Sequence, residues 1–332
     1  MRTSAAFIGF LVVLLVHGPA RGAERSKLGV AIVKNDSAGP LAMAEGGLIP
    51  LLEKRGCEIK SLDTVSLTEA ERREYGAWNK DALESLNIGK LVAKNRAGEV
   101  LVVGLLSDCT DLLGMLAGLQ HLRPAGGAAS PGERGLRREG LAGVKPLRVG
   151  LIYFDAHADF NTPETTLSGM LGGMDVAAAS GLCLTRLRLK TGLDPALPTS
   201  YIVFGGLRDV DPLERELLDR SQCEYLSVED IRSLSGAIDA QMKRLGRLTD
   251  IVYVHIDMDV LDPAEVSGHP LTAPEGPTSR QLAAAVRKLF SYPQAAAIGI
   301  ASIPFGERDK DGLSLKAAYR LIEAAVEGVR GR

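Results

Sequence analysis

The chain has 332 residues, is 45% hydrophobic and carries a net charge of −2. That length and apolar content suit one large α/β domain or two small ones with an ample buried core. Charges of both signs in near balance supply no basic field, which excludes nucleic acid as a partner.

The chain opens with MRTSAAFIGFLVVLLVHGPARGAERS. A single Arg2 precedes an apolar run over residues 5–16, and small residues follow, with Ala20 and Gly22 at the −3 and −1 positions of a cut after Gly22. This is the layout of a secretory signal peptide over residues 1–22, which predicts export to a periplasm or to the medium. The competing reading, a membrane anchor, needs a run of about 20 apolar residues, and this one is shorter. No membrane span is expected after processing.

From residue 23 onward the pattern is that of a single domain. Apolar runs at 28–33, 99–106, 148–155, 200–205, 250–257 and 296–302 lack polar alternation. Such runs read as strands buried on both faces of a parallel sheet. Helix candidates lie between and after them at 41–55, 112–121, 212–220, 278–290 and 312–329. The order is that of βαβ units, so the predicted fold is α/β, a three-layer αβα arrangement around a doubly wound, mainly parallel sheet. One segment breaks the pattern: residues 123–146 are rich in Gly, Pro and Arg, and read as a mobile surface loop inserted into the domain.

Open parallel sheets gather ligands at the carboxyl ends of their strands. Three predicted strands end there in potential ligands: Asp108-Cys109, then Asp155, His157 and Asp159, then Asp257 and Asp259. An Asp after a strand often only caps the next turn, but three such ends together point to metal. So many carboxylates repel one another unless cations compensate. The simplest solution is two divalent ions about 4 Å apart that activate a water, hence a hydrolase. The four cysteines show no C-x-x-C spacing and imply no structural zinc site; outside the cytosol they leave disulfides open.

The stretches DAHADFNTPETTLSG (155–169) and VHIDMDVLDP (254–263) resemble the two hallmark motifs of the arginase/agmatinase ureohydrolase family, and GLRDVDPLE (206–214) is also arginase-like. The resemblance spans roughly residues 27–330, apart from the inserted loop. It implies a binuclear manganese centre that hydrolyses guanidino groups, and a tendency to form homo-oligomers. Carried over residue by residue, it implies Asp155, His157, Asp159, Asp257 and Asp259 as metal ligands, with Asp159 also placed to take the proton of the attacking water. Cys109 falls where the family has a ligating His. A thiolate there would bias the site from Mn²⁺ toward Zn²⁺ or Fe²⁺; the alternative is an inert buried cysteine.

Asn161, Thr166 and Ser168 match positions that bind a substrate α-carboxylate in the family, and Asp211 and Glu214 match positions near its α-amino group. Asp211-Pro212-Leu213-Glu214 also reads as a helix start, with Asp as N-cap and Pro at N1. Two family side chains are missing: Gly172 stands where a proton-shuttling His is usual, and Ser302 where a Glu pairs with the guanidinium. A guanidinium without that partner loses a charge-assisted contact. Either Glu275 or Glu164 supplies the carboxylate, or the substrate is less basic, such as an N-hydroxyguanidine. The sequence therefore predicts a binuclear metallohydrolase cleaving a C–N bond of a linear amidine or guanidine on an amino acid related to arginine or N-hydroxyarginine. The alternative is a non-catalytic amino-acid binder of the same fold.

Overall fold

A computed structural model describes residues 26–96, 100–121 and 145–332. The signal peptide expected at 1–22 and nearly all of the loop expected at 123–146 lie outside the described residues.

Eight strands form one sheet: β1 (Leu28–Asn35), β2 (Cys57–Val65), β3 (Leu101–Leu105), β4 (Val149–Phe154), β5 (Ile202–Gly205), β6 (Glu224–Leu226), β7 (Ile251–Asp257) and β8 (Ala295–Ala301). Their order is β2-β1-β3-β8-β7-β4-β5-β6, and every neighbouring pair is parallel. Helices cover both faces, so the three-layer αβα architecture is as expected. Strands β3, β4, β5, β7 and β8 are buried along their whole length, which is why their sequences show no polar alternation.

Because successive side chains point to opposite faces, each inner strand feeds two cores. In β7, Val252, Val254 and Ile256 enter the core beneath the helices Ser279–Phe290 and Leu313–Arg330. Ile251 and Tyr253 enter the other, beneath Ala77–Arg96 and Leu112–Gln120. Those last two helices cross at glycines: a Cβ on Gly114 would lie 2.2 Å from the Ser85 carbonyl oxygen, and one on Gly118 would lie 2.5 Å from that of Gly89. Only residues without a Cβ allow that approach.

Five elements depart from the sequence expectation. Edge strand β2 alternates buried and exposed positions, and β6 has only three residues. The helices Ala77–Arg96 and Gly236–Leu248 were not foreseen. The helix expected at 41–55 is interrupted at Gly47, whose φ is 110°. Among the described residues no helix is long and apolar enough to cross a membrane.

The parallel arrangement sends the loops after β1, β3, β8, β7, β4 and β5 to one end of the sheet. Asp111 ties two of these loops together. Its carboxylate accepts from Asn35 Nδ2 at 2.9 Å and from the Ser107 amide and hydroxyl, each at 2.9 Å. The stretch that carries Cys109 is thus fixed to the end of β1.

Candidate metal centre and substrate cavity

A cavity of about 640 Å³ opens at the carboxyl ends of the strands. Cys109, Asp155, His157, Asp159, Asp257 and Asp259 all line it. Three clusters have ligand atoms within 4.8 Å of one another: Cys109 with Asp155 and Asp159, Asp155 with His157 and Asp259, and Asp257 with Asp259 and His269. Asp155 and Asp259 are each common to two clusters, as carboxylates shared between two neighbouring ions would be.

Backbone geometry aims these groups. Asp257 accepts the Asp259 amide at 2.8 Å, and Asp155 accepts the His157 amide at 2.6 Å. Asp159 takes up a left-handed backbone with φ 48°, rare for a residue with a side chain; its carboxylate accepts the Tyr153 hydroxyl. Ser302 at the end of β8 is also left-handed, φ 59°. Of the five left-handed side-chain-bearing residues among the described ones, these two line the cavity, consistent with local strain held at a site.

His157 presents Nδ1 to Asp259 Oδ2 at 2.9 Å and to Asp155 Oδ1 at 3.3 Å, while Nε2 lies 3.7 Å from Asp209. This is the disposition of a metal-ligating imidazole whose second nitrogen faces an outer carboxylate. The Cys109 sulfur lies 2.9 Å from Asp257 Oδ2, 3.8 Å from Asp155 Oδ2 and 3.4 Å from His255 Nε2. His255 is fully buried, and its ring stacks on Tyr153 at 5.1 Å between centroids.

The charge balance tests whether cations fit. Asp155, Asp257 and Asp259 are buried and Asp159 is partly so, with His157 and His269 the basic groups in the three clusters. Burial and the neighbouring carboxylates push Asp155 and Asp159 well above the usual carboxylate range. Burial and Asp259 push Asp257 up to about 6. Burial opposes charge on His157, but the Asp259 hydrogen bond and the surrounding carboxylates outweigh it and push the imidazole up to about 9. Burial and the charges of Asp257 and Asp155 push the Cys109 thiol up. Burial makes this many neighbouring carboxylate charges costly without compensating cations, so the donor set fits two divalent ions.

The expected recognition residues divide. Asn161, Ser168, Asp211 and Glu214 line the cavity. Asn161 Nδ2 donates to Asp211 Oδ2 at 3.0 Å. Glu214 accepts the Phe160 amide at 2.7 Å and the Asp211 amide at 3.2 Å, so both its oxygens hold backbone in place. Thr166 is not part of the cavity wall; its hydroxyl accepts the Gly169 amide at 3.0 Å and shapes the turn. Glu275 and Glu164 are exposed and lie outside the cavity. Glu275 stands on a left-handed turn, φ 63°, whose carbonyl accepts Arg232. The lost carboxylate is therefore replaced by neither glutamate.

Arg208 and His269 were not foreseen. The Arg208 guanidinium donates to the carbonyls of Pro274, Gly206, Asp259, Leu261 and Ala273 at 2.7–3.3 Å. It pins the backbone at Asp259. Its position inside GLRDVDPLE was the available signal. His269 is a lone histidine in a loop, and nothing in its sequence neighbourhood marks it.

Comparison with known proteins agrees with this geometry. The Arginase family model matches residues 135–303, a little over half of the chain. The arginase of Brevibacillus brevis is 28% identical over 244 residues, 69% of this chain and 72% of that one. Arginase-2 of Rattus norvegicus is 26% identical over 295 residues, 80% and 75% of the two chains. The solved arginase of Bacillus caldovelox superimposes with a TM-score of 0.74 at 22% identity, covering 90% of this chain and 98% of that one. Formimidoylglutamase of Bacillus subtilis gives 0.66 at 16% identity, covering 93% and 89%. The chain belongs to the arginase family.

Proposed function

We propose that the protein is a binuclear metal-dependent hydrolase that cleaves a C–N bond of a linear amidine or guanidine carried on an amino acid, with arginine-like and N-hydroxyarginine-like compounds as the substrate class. One observation carries this: five ligand-type side chains, Asp155, His157, Asp159, Asp257 and Asp259, meet in a cavity whose wall also holds Asn161, Ser168 and Asp211. Mn²⁺ is the proposed metal, with Zn²⁺ or Fe²⁺ favoured to the extent that Cys109 ligates. Export through residues 1–22 and assembly as a homo-oligomer belong to the same proposal.

Two ions held by Asp155, His157, Asp159, Asp257 and Asp259 would supply an activated water and polarise the attacked carbon. The chain's own residues do the rest. Tyr153 holds one oxygen of Asp159, leaving the other to take the proton of the attacking water and pass it to the departing nitrogen as the C–N bond breaks. Asp211, held by Asn161, faces the substrate's ammonium. Gly172 has no atoms within 4 Å of where a Cβ would stand, so that side of the cavity offers room but no proton carrier.

The test is product release by protein loaded in turn with Mn²⁺, Zn²⁺ and Fe²⁺, offered arginine, N-hydroxyarginine, agmatine and shorter guanidino acids. Turnover of one compound, with a metal preference, is the expected result. Silence across the panel with two ions bound would reject guanidine hydrolysis. Silence with no ion bound would favour a non-catalytic binder.

A further inference from the structure

His269 belongs to the cavity wall without being exposed. Its side chain is 4% exposed, and it clusters with Asp257 and Asp259. The loop that carries it is closely fixed. The His269 amide donates to the Val266 carbonyl at 2.8 Å, and Pro270 follows. A Cβ on the preceding Gly268 would lie 1.9 Å from the Arg308 carbonyl oxygen, so only glycine lets the loop approach this closely.

The ring's outer nitrogen is engaged: the Leu271 amide donates to His269 Nδ1 at 3.2 Å. A ring nitrogen that accepts a hydrogen bond does not itself bear a proton, so Nε2 is the nitrogen left to carry the ring's N–H. That Nε2–H faces the metal centre, 3.6 Å from Asp257 Oδ1, too far for a hydrogen bond. A ligating imidazole needs the opposite arrangement, with a bare nitrogen toward the ion and its N–H turned outward. His157 fits that arrangement, with Nε2 toward Asp209; His269 does not.

We infer that His269 is a substrate-facing hydrogen-bond donor rather than a metal ligand, and that it selects substrates whose reacting group carries an acceptor, namely a neutral amidine or guanidine with an oxygen or imine nitrogen at its outer end. The inference rests on the hydrolase proposal and deepens it. Ser302 lines the same cavity where a carboxylate would otherwise receive a guanidinium. A guanidinium offers only N–H donors. Set against the Nε2–H of His269, it leaves a buried donor without a partner and its own charge unaccompanied. An oxygen-bearing neutral group reverses both faults.

The experiment has three readouts on the full chain. First, long-range ¹⁵N–¹H correlation spectra of the Zn²⁺-loaded and metal-free proteins, assigned with His269→Gln, report the tautomer. Nε2–H is expected in both, and an Nδ1–H ring with a metal-shifted Nε2 overturns the inference. Second, bound zinc is counted in His269→Leu. Retention of the wild-type stoichiometry is expected; loss of an ion makes His269 a ligand and overturns it. Third, calorimetry compares N-hydroxyguanidine with guanidinium at an alkaline pH where only the former is neutral. A preference of about tenfold or more for the neutral compound is expected in wild type, kept in His269→Gln, whose amide restores a donor at the Nε2 position, and lost in His269→Leu. Equal affinities in wild type overturn the substrate class. A wild type that binds no ion rejects the hydrolase proposal instead, and the metal-free tautomer still decides the placement of the His269 proton.

Discussion

Metal loading should expel a definite number of protons, and the structure indicates which. Without metal, burial and the carboxylate neighbours push Asp155 and Asp159 well above the usual carboxylate range. His157 is protonated, its pKa pushed up to about 9 against the opposing effect of burial. The Cys109 thiol is protonated as well. Asp257, at about 6, is mostly ionised. Binding two ions through this set should release at least about two protons at pH 7, one from His157 and one from Cys109 if its thiolate ligates, with any held by Asp155 and Asp159 adding to them. Each released proton changes the product of the two binding constants about tenfold per pH unit, so lowering pH from 7 to 6 should weaken each ion by at least about tenfold on average. The assay is calorimetric titration with Mn²⁺ or Zn²⁺ in buffers of different ionisation enthalpy, whose slope gives the proton count. Cys109→Ser should lower the count by about one if the thiolate ligates, and leave it unchanged if the cysteine is inert. A wild-type release below about one proton would refute the assigned ligand set.

Asp211→Asn removes the charge proposed to face the substrate ammonium. It should raise KM about 10- to 100-fold with kcat little changed, a pattern steady-state kinetics reads directly; an unchanged KM would point to a substrate without an amino-acid head. Arg208→Met deprives five carbonyls of their donor and should cost about 3 kcal/mol or more in denaturant titration, with weaker metal binding because the Asp259 backbone loosens. Glu84 is pushed up to about 7 by burial and by Asp36, Asp108 and Asp81. Its folded pKa exceeds the ordinary 4.5 of the unfolded chain, so the folded state binds the extra proton and stability falls as pH rises from about 4.5 to about 7. After allowance for solvent screening, Glu84→Gln should gain roughly 1 kcal/mol, or about 2 °C in Tm, at pH 8, and nothing at pH 4.5.

The inner strands were legible because burial on both faces removes polar alternation, and a run such as VGLIYF needs no context to be read. Edge strand β2 and the helix Ala77–Arg96 were not, for the opposite reason. β2 buries one face, so CEIKSLDTV resembles an irregular polar segment. The helix is rich in charged and polar residues, and its buried stripe of Ala82, Ser85, Ile88, Gly89, Val92 and Ala93 is too small and too polar to stand out. Its packing depends on Gly114 and Gly118 across the interface, a contact no local window contains.

The candidate site shows the same division between local and long-range information. Asp155, His157 and Asp159 lie within one short segment, and Asp257 and Asp259 within another, so spacing alone places them at strand ends. Glu275 was singled out for its charge and its place in a motif, yet a side chain's reach depends on how its loop turns, and this one stands exposed on a left-handed turn. His269 shows the reverse. Its sequence neighbours carry no signal, because what defines it is a backbone amide two residues on, at Leu271, and the Arg308 carbonyl that admits only glycine beside it. The first contact fixes which ring nitrogen carries the N–H, and the second fixes the loop that carries the ring. A carboxylate in the position of Ser302 would have made the cavity an acceptor of cations. A fixed imidazole N–H in the same cavity makes it a donor, and that change of polarity, rather than the ligand set, is where this chain's specificity should depart from that of an arginine-cleaving relative.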